Sequence, residues 1–379
     1  MSKPHRPGVK KSLVTVGARG QHPTCRNNPK KSPFFSRKHS EKAESMEERF
    51  VVKPLISLIL KAVVAAAVGM AGPAALAAVV NFGHGFMPDS PHHRAALGFK
   101  EEVEKRTEGR VRVNIFHSGQ LGSAREMFEG LQLGSLQITM VPGARISGFA
   151  PQMQILDLPF LFPDVATVER VLDGPIGQDL LKTMEPQGVT GVGFYIDGFK
   201  QLTANKPLRQ PEDFRGLKFR TMESDIIMAQ YRALGADPVA LDYAEVYNAL
   251  QMRVVDGHEN PIILIHDMKF YEVQKYLMVS DHAVLGGVLL YGTSWFQGLS
   301  ERDRQILLEA GRKLLQEQRK GAREVEAANL KAIEDSGINV VRLTTEEKQT
   351  LRTAMLKAHE VYAQKYGDQI LRRIYQEVE

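Results

Sequence analysis

The feature that most constrains the fold is a regular exchange of strand and helix patterns along residues 79–141. Val79-Val80-Asn81-Phe82 is a short strand candidate, and Pro91 opens a helix to about Thr107 with Ala96, Phe99 and Val103 at helical spacing. Glu108-Gly109 stops that helix, and residues 110–115 alternate polar and apolar, the period of a strand with one buried face. After a glycine-rich turn over 118–122, Ser123 and Glu126 form a capping-box pair for a helix carrying Met127 and Leu131 on one face. Gly134 ends it, and residues 136–141 are a further apolar strand. Strands separated by helices, with no tight hairpin signal, predict an α/β sheet.

The second half follows the same logic. Residues 211–216 form a helical turn with a glycine stop, and 217–222 alternate as a strand. The helix after it places Ile227, Tyr231 and Leu234 on one face, with Gly235 at its end. Ser300 with Asp303 caps a segment that stays helical to about Asp335. A helix of roughly 30 residues runs about 45 Å, longer than one small domain, so it is expected to brace two lobes. Thr344 with Glu347 caps one last long helix.

Charge separates the chain into a leader and a body. Residues 1–45 carry eleven Lys/Arg against Glu41 and Glu44 and have no periodicity, which predicts a disordered basic extension, with Met46 a candidate for the true start. Residues 46–78 pair a short charged segment with an apolar run and end in Ala75-Leu76-Ala77-Ala78, the pattern of a secretory signal peptide cut after Ala77 or Ala78. The chain is +5 overall, but 1–45 supply +9 and 46–78 another +1, so the body 79–379 is −5. The body therefore offers no basic footprint for nucleic acid. Its expected location is the periplasm, through the general secretory route. Cys25, the single cysteine, precedes the apolar run, which leaves the exported body without disulfides.

Chemistry-bearing motifs are scarce. The sequence holds no Gly-x-Ser-x-Gly elbow, no Walker loop, no His-Glu-x-x-His and no Cys pair. Gly83-His84-Gly85 departs from a dinucleotide loop at Pro88. His84, His92, His93 and His117 match no metal-ligand spacing, and exposed or capping roles are expected for them. Asp256-Gly257-His258-Glu259 reads as a turn beside a ligand in preference to acid/base machinery.

Six stretches, in order, carry a resemblance. They are Gly119-Gln120-Leu121-Gly122, the run Gln154-Ile155-Leu156-Asp157-Leu158-Pro159-Phe160-Leu161-Phe162, and Gly216-Leu217-Lys218-Phe219-Arg220-Thr221. Glu245-Val246-Tyr247-Asn248-Ala249-Leu250-Gln251, Val255-Asp256-Gly257-His258-Glu259-Asn260-Pro261 and Lys269-Phe270-Tyr271-Glu272-Val273-Gln274-Lys275-Tyr276 complete them. Together they resemble the extracytoplasmic solute-binding subunits of TRAP transporters, the C4-dicarboxylate-binding protein family, over essentially all of 79–379.

The resemblance implies a two-lobed periplasmic binding protein that closes on a small organic anion and delivers it to a membrane permease. It implies lobe I over 79–198 and 286–325 and lobe II over 199–285 and 326–379. In the family, the arginine of the Gly-Leu-Lys-x-Arg segment grips the ligand carboxylate; here that is Arg220. Asn260 matches the family's ligand-binding amide, Tyr243 an aromatic packed on the ligand, and His282 a pocket-lining position. Lys200 stands where the family usually has a second arginine, which keeps the charge and loses the bidentate fork. Gly85 and Phe86, with Pro142 and Gly143, stand where relatives place polar groups, implying a less hydroxylated, partly apolar ligand. No cofactor or metal is expected, and a monomer is favoured. The competing readings are a ligand-sensing partner of a signalling receptor and an exported enzyme working through Asp256, His258 or Glu259.

Overall fold

The computed structural model describes residues 77–378. The basic extension 1–45 and the expected signal peptide up to residue 76 lie outside the described residues. The described residues run through ten strands: β1 (Ala78–His84), β2 (Val111–Phe116), β3 (Ile138–Pro142), β4 (Val189–Ala204), β5 (Lys218–Thr221), β6 (Asp237–Ala240), β7 (Gly257–Pro261), β8 (Tyr276–Val279), β9 (Val284–Gly292) and β10 (Asn339–Arg342). They build two sheets. The first has the order β2-β1-β3-β9-β4, with β1 parallel to β2 and β3, and β9 antiparallel to β3 and β4. In the second, β4 lies between β8 and β7, β10 extends the β8 side, and β5 and β6 follow β7.

β4 is therefore common to both sheets. Residues 189–199 pair with β9 in the first, and residues 200–204 pair with β7 in the second. The change of partner has a local cause. The β4–β9 register slips between Ile196 and Gly198, and Gly198 adopts φ +106, a conformation open to glycine. Residues 280–283 make a second crossing, from β8 in one sheet to β9 in the other.

The 35-residue helix Glu301–Asp335 braces the two lobes. Ser300 accepts from the Asp303 N–H as the sequence predicts. Leu307, Ala310, Leu314 and Leu315 bury against the helix Pro91–Arg106 and the first sheet. Some 20 residues later Ile333 joins Val246, Leu250, Ile262 and Ile265 in the core of the second lobe. At about 1.5 Å per residue the helix is about 52 Å long, enough to reach both.

The C-terminal region departs from expectation. In place of one long helix there are three, Thr345–Met355, Lys357–Tyr366 and Gln369–Val378, and Gly367 breaks the last pair with φ +84. The resemblance places residues 326–379 in lobe II, but the final helix buries Leu371 and Ile374 among Val168, Leu172, Ile176 and Leu180 of the first lobe. An apolar stripe needs a partner, and helices Val165–Asp173 and Pro175–Lys182 supply it.

Candidate functional site

The site begins with strand parity. β5 and β7 run parallel with Arg220 opposite His258, and successive side chains of a strand point to opposite faces. Arg220, His258 and Asn260 thus share one face, while Glu259 is turned to the other. Arg220 lies one residue from the end of its strand, the edge at which open α/β sheets bind ligands.

On that side a cavity of about 410 Å³ is lined by residues of both lobes. Its polar end holds Arg220, Asn260 and Tyr243 from the second lobe and Arg145 from the first. Arg220 is 1% exposed, and its Nε and Nη2 both donate to the Leu241 carbonyl, at 3.2 and 2.8 Å. Its side chain has no carboxylate within ion-pair distance among the described residues. Burial, with Arg145 close by, lowers its pKa from 12.5 to about 9.

Arg145 projects from the short 3-10 turn Gly143–Ile146 that follows β3. Its Nη2 donates to the same Leu241 carbonyl at 2.8 Å, and its Nη1 pairs with Asp242 Oδ1 at 2.9 Å, so it ties the lobes together. Two guanidiniums converge on one neutral oxygen, with a single carboxylate between them. Burial of Arg145 lowers its pKa as well.

Asn260 is buried, and its Nδ2 lies 3.0 Å from His258 Nδ1. Burial and then the Arg220 charge push His258 down to about 3, so its imidazole is neutral and accepts the Asn260 N–H. Tyr243 is half-buried, its ring edge-on to Phe270 and its hydroxyl directed at the Leu264 carbonyl. Phe86 forms a wall of the cavity; its ring stacks on His92 with 3.5 Å between centroids and meets Tyr195 edge-on.

Four of the six expected ligand residues, Arg220, Asn260, Tyr243 and Phe86, line this cavity, and Lys200 and His282 do not. Both of these belong to a buried network on the opposite face of the second sheet. Lys200 Nζ lies 2.7 Å from Glu259 Oε1, and Glu259 Oε2 accepts from Tyr231 Oη at 2.6 Å and His282 Nε2 at 2.8 Å. The β4–β7 register explains the placement, because Lys200 stands opposite Pro261 and Leu202 opposite Glu259, on the face Asn260 avoids. A buried lysine needs a carboxylate, and Glu259 meets that need. Burial opposes the Glu259 charge, yet Lys200 and His282 hold its pKa well below the ordinary range. Nearby, burial raises Asp157 to about 6 against the pull of Lys200, while Ser224 donates to it at 2.8 Å.

The acid/base alternative is not assembled. Asp256 accepts the Lys218 N–H at 2.8 Å, His258 is buried on the Arg220 face of the sheet and Glu259 is turned to the other face. His84 approaches His93 at 3.1 Å, while His92 turns to Asp197 at 2.6 Å. Among the described residues no group of three or more His, Cys, Asp or Glu side chains is arranged to hold a metal.

Arg145 escaped the sequence reading. Its one signal was an arginine between Ala144 and Ile146 directly after an apolar strand, where the chain is otherwise buried.

Two α/β lobes on shared strands, closing on a buried guanidinium that lacks a carboxylate, define a bilobed binding protein for a small anion. Comparison with known proteins is specific. Residues 82–365 match the family described as bacterial extracellular solute-binding protein, family 7. The C4-dicarboxylate-binding periplasmic protein DctP of Rhodobacter capsulatus is 35% identical over 291 residues, 76% of this chain and 87% of that protein. A TRAP periplasmic solute-binding protein of Shewanella oneidensis with bound succinate superposes with a TM-score of 0.78 at 32% identity, covering 80% of this chain and all of that one. One from Desulfovibrio salexigens with bound orotic acid gives 0.76 at 33% identity, covering 79% and 98%. The chain belongs to family 7 of the bacterial extracellular solute-binding proteins. It is a small-organic-acid-binding protein of TRAP transport and not an enzyme.

Proposed function

We propose that Arg220 is the anchor for the ligand carboxylate, that Arg145 and Asn260 complete the carboxylate site, and that Tyr243 and Phe86 pack on the ligand body. The observation that carries this reading is the buried Arg220 guanidinium, bonded to one neutral carbonyl, with the adjacent Asp242 carboxylate engaged by Arg145. An incoming carboxylate supplies the missing counter-charge and accepts two parallel hydrogen bonds from one planar fork. The acids bound in the two solved relatives, succinate and orotic acid, differ in body and share a carboxyl group. Lys200 and His282 act behind the site, through Glu259, and do not touch the ligand.

Because Arg145 comes from one lobe and Arg220 from the other, a ligand held by both favours closure. The bend falls at 197–200 and 280–284, where the chain changes sheets. The export reading fits the start of the body: Ala78 opens β1 opposite Val111, so a cut after Ala77 leaves the strand whole. The exported protein hands its acid to the permease of a TRAP-type transporter.

Asn260→Asp tests the site. A fixed carboxylate beside Arg220 neutralises the anchor, and ligand affinity should fall at least 100-fold while the melting temperature of the free protein is held. Cells lacking the gene should regain uptake of the labelled acid with the wild-type copy and not with this variant. Wild-type affinity in Asn260→Asp would remove Arg220 and Asn260 from the site.

A further inference from the structure

The cavity has two chemically different ends, and their inventory goes beyond a generic carboxylate site. At the polar end, Asp242 neutralises Arg145, which leaves Arg220 as one uncompensated positive charge. Among the described residues no other Lys or Arg lines the cavity. The remaining acidic side chains on its wall are Glu126 and Glu245, and both are fixed by helix starts. Glu126 accepts the Ser123 N–H at 2.7 Å and Glu245 the Asp242 N–H at 3.1 Å. Glu245 thus sits beside Asp242 and Arg145 at the polar end, and Glu126 adds negative charge to the wall supplied by the first lobe. A second carboxylate would meet like charge and no cation.

The hydroxyl inventory is equally short. Ser123 Oγ is occupied as the helix cap, accepting the Glu126 N–H, Ser118 Oγ lies 3.0 Å from His117 Nδ1, and Tyr243 Oη is directed at the Leu264 carbonyl. The rest of the wall is apolar: Phe86, Met127, Met140, Met222, Leu264 and Leu285. Three methionines beside an aromatic wall suit a flat hydrocarbon face, because thioether sulfur packs favourably against ring edges and two rings stack with offset. Phe86 is held in place by its stack on His92 and its edge contact with Tyr195, so it meets the ligand as a rigid surface. A cavity of 410 Å³ falls within the size range of pockets for drug-sized ligands, about 300–1,000 Å³. A four-carbon diacid would leave much of it unfilled against apolar groups.

Resting on the carboxylate reading of the site, we propose that this protein's ligand is an aryl-substituted monocarboxylate, with the carboxyl on Arg220 and the ring between Phe86 and the methionines. Polyhydroxylated sugar acids and C4-dicarboxylates bind more weakly, the former for want of hydroxyl partners and the latter for want of a second cation.

The test is calorimetric titration of the protein after unfolding and refolding to strip any ligand, with 3-phenylpropionate, succinate and D-galactonate as probes. The expected result is that 3-phenylpropionate binds at least 100-fold tighter than either of the others. Phe86→Ala should weaken it at least tenfold, and Phe86→Leu, which keeps the apolar wall, should recover part of that loss. Tighter binding of succinate or galactonate overturns the aryl assignment and leaves carboxylate capture standing. Binding of none of the three overturns the aryl assignment and the carboxylate reading beneath it. An unchanged 3-phenylpropionate affinity in Phe86→Ala overturns the placement of the ring.

Discussion

Replacing Arg220 with methionine should weaken the ligand and strengthen the ligand-free protein at once. The guanidinium is 1% exposed and has no carboxylate partner. The fall of its pKa from 12.5 to about 9, at about 1.4 kcal/mol per pH unit, bounds the cost of holding the charge there at about 5 kcal/mol. An apolar side chain of similar length removes that cost, and comparable replacements of buried charges stabilise by about 1–4 kcal/mol. The Leu241 carbonyl is not orphaned, because Arg145 Nη2 still donates to it at 2.8 Å. The free protein should therefore melt a few degrees higher, given about 2–4 °C per kcal/mol for chains somewhat smaller than this. Binding loses a buried partner of a charged hydrogen-bonded pair, about 3–4 kcal/mol, or 100- to 1,000-fold in Kd. Scanning calorimetry of stripped protein reads the first effect and titration the second. A variant that melts well below wild type when free of ligand would show Arg220 to be a structural ion. A variant that binds as wild type would show it is not the anchor.

Three further outcomes follow from the same geometry. Lys200→Met strands the Glu259 carboxylate in the core and should cost about 3–5 kcal/mol in urea unfolding, with Lys200→Met/Glu259→Leu recovering most of it; equal losses in the single and double variants would refute the pairing. Acid should destabilise the protein below pH 6.5. His84 and His258 are both depressed by burial to about 3, so the unfolded chain takes up their protons first and stability falls by about 1.4 kcal/mol per pH unit for each as pH drops toward 3. Asp157, raised by burial to about 6, runs the opposite way between pH 6 and its unfolded value near 4, leaving a net loss of about one proton's worth. Urea midpoints at pH 7 and pH 5 check this, and an unchanged slope in His258→Asn would contradict it. Gly287→Ala on β9 puts a Cβ into Tyr195 and the Val141 carbonyl on either side, and should cost about 1–3 kcal/mol or more in thermal unfolding; an unaffected midpoint would mean that the sheet can open there.

Much of the first lobe was legible because its signals are local. The capping pair of Ser123 and Glu126, the alternation of 110–115 and the long segment after Ser300 each need only neighbours within a few residues, and each became the predicted element. The family segments pointed to Arg220 and Asn260 before any geometry, since both lie in motifs. The site's other half had no such local mark. Lys200 and Arg220 are both arginine-like positions in strand-like surroundings, and the chain alone does not say which face of the sheet each one meets. The β4–β7 and β5–β7 registers decide it: the first carries Lys200 to the face of Glu259, and the second carries Arg220 to the face of Asn260. Arg145 joins the site because β3 ends beside the cleft, and only the closed arrangement of two lobes brings it within 2.9 Å of Asp242, 97 residues away in sequence. The sequence by itself thus determined the local elements, the acidic cysteine-free body and the motif that carries the proposed anchor. Which charges meet each other and which are left for a ligand is a pairing across strands and between lobes, and only the tertiary structure decided that.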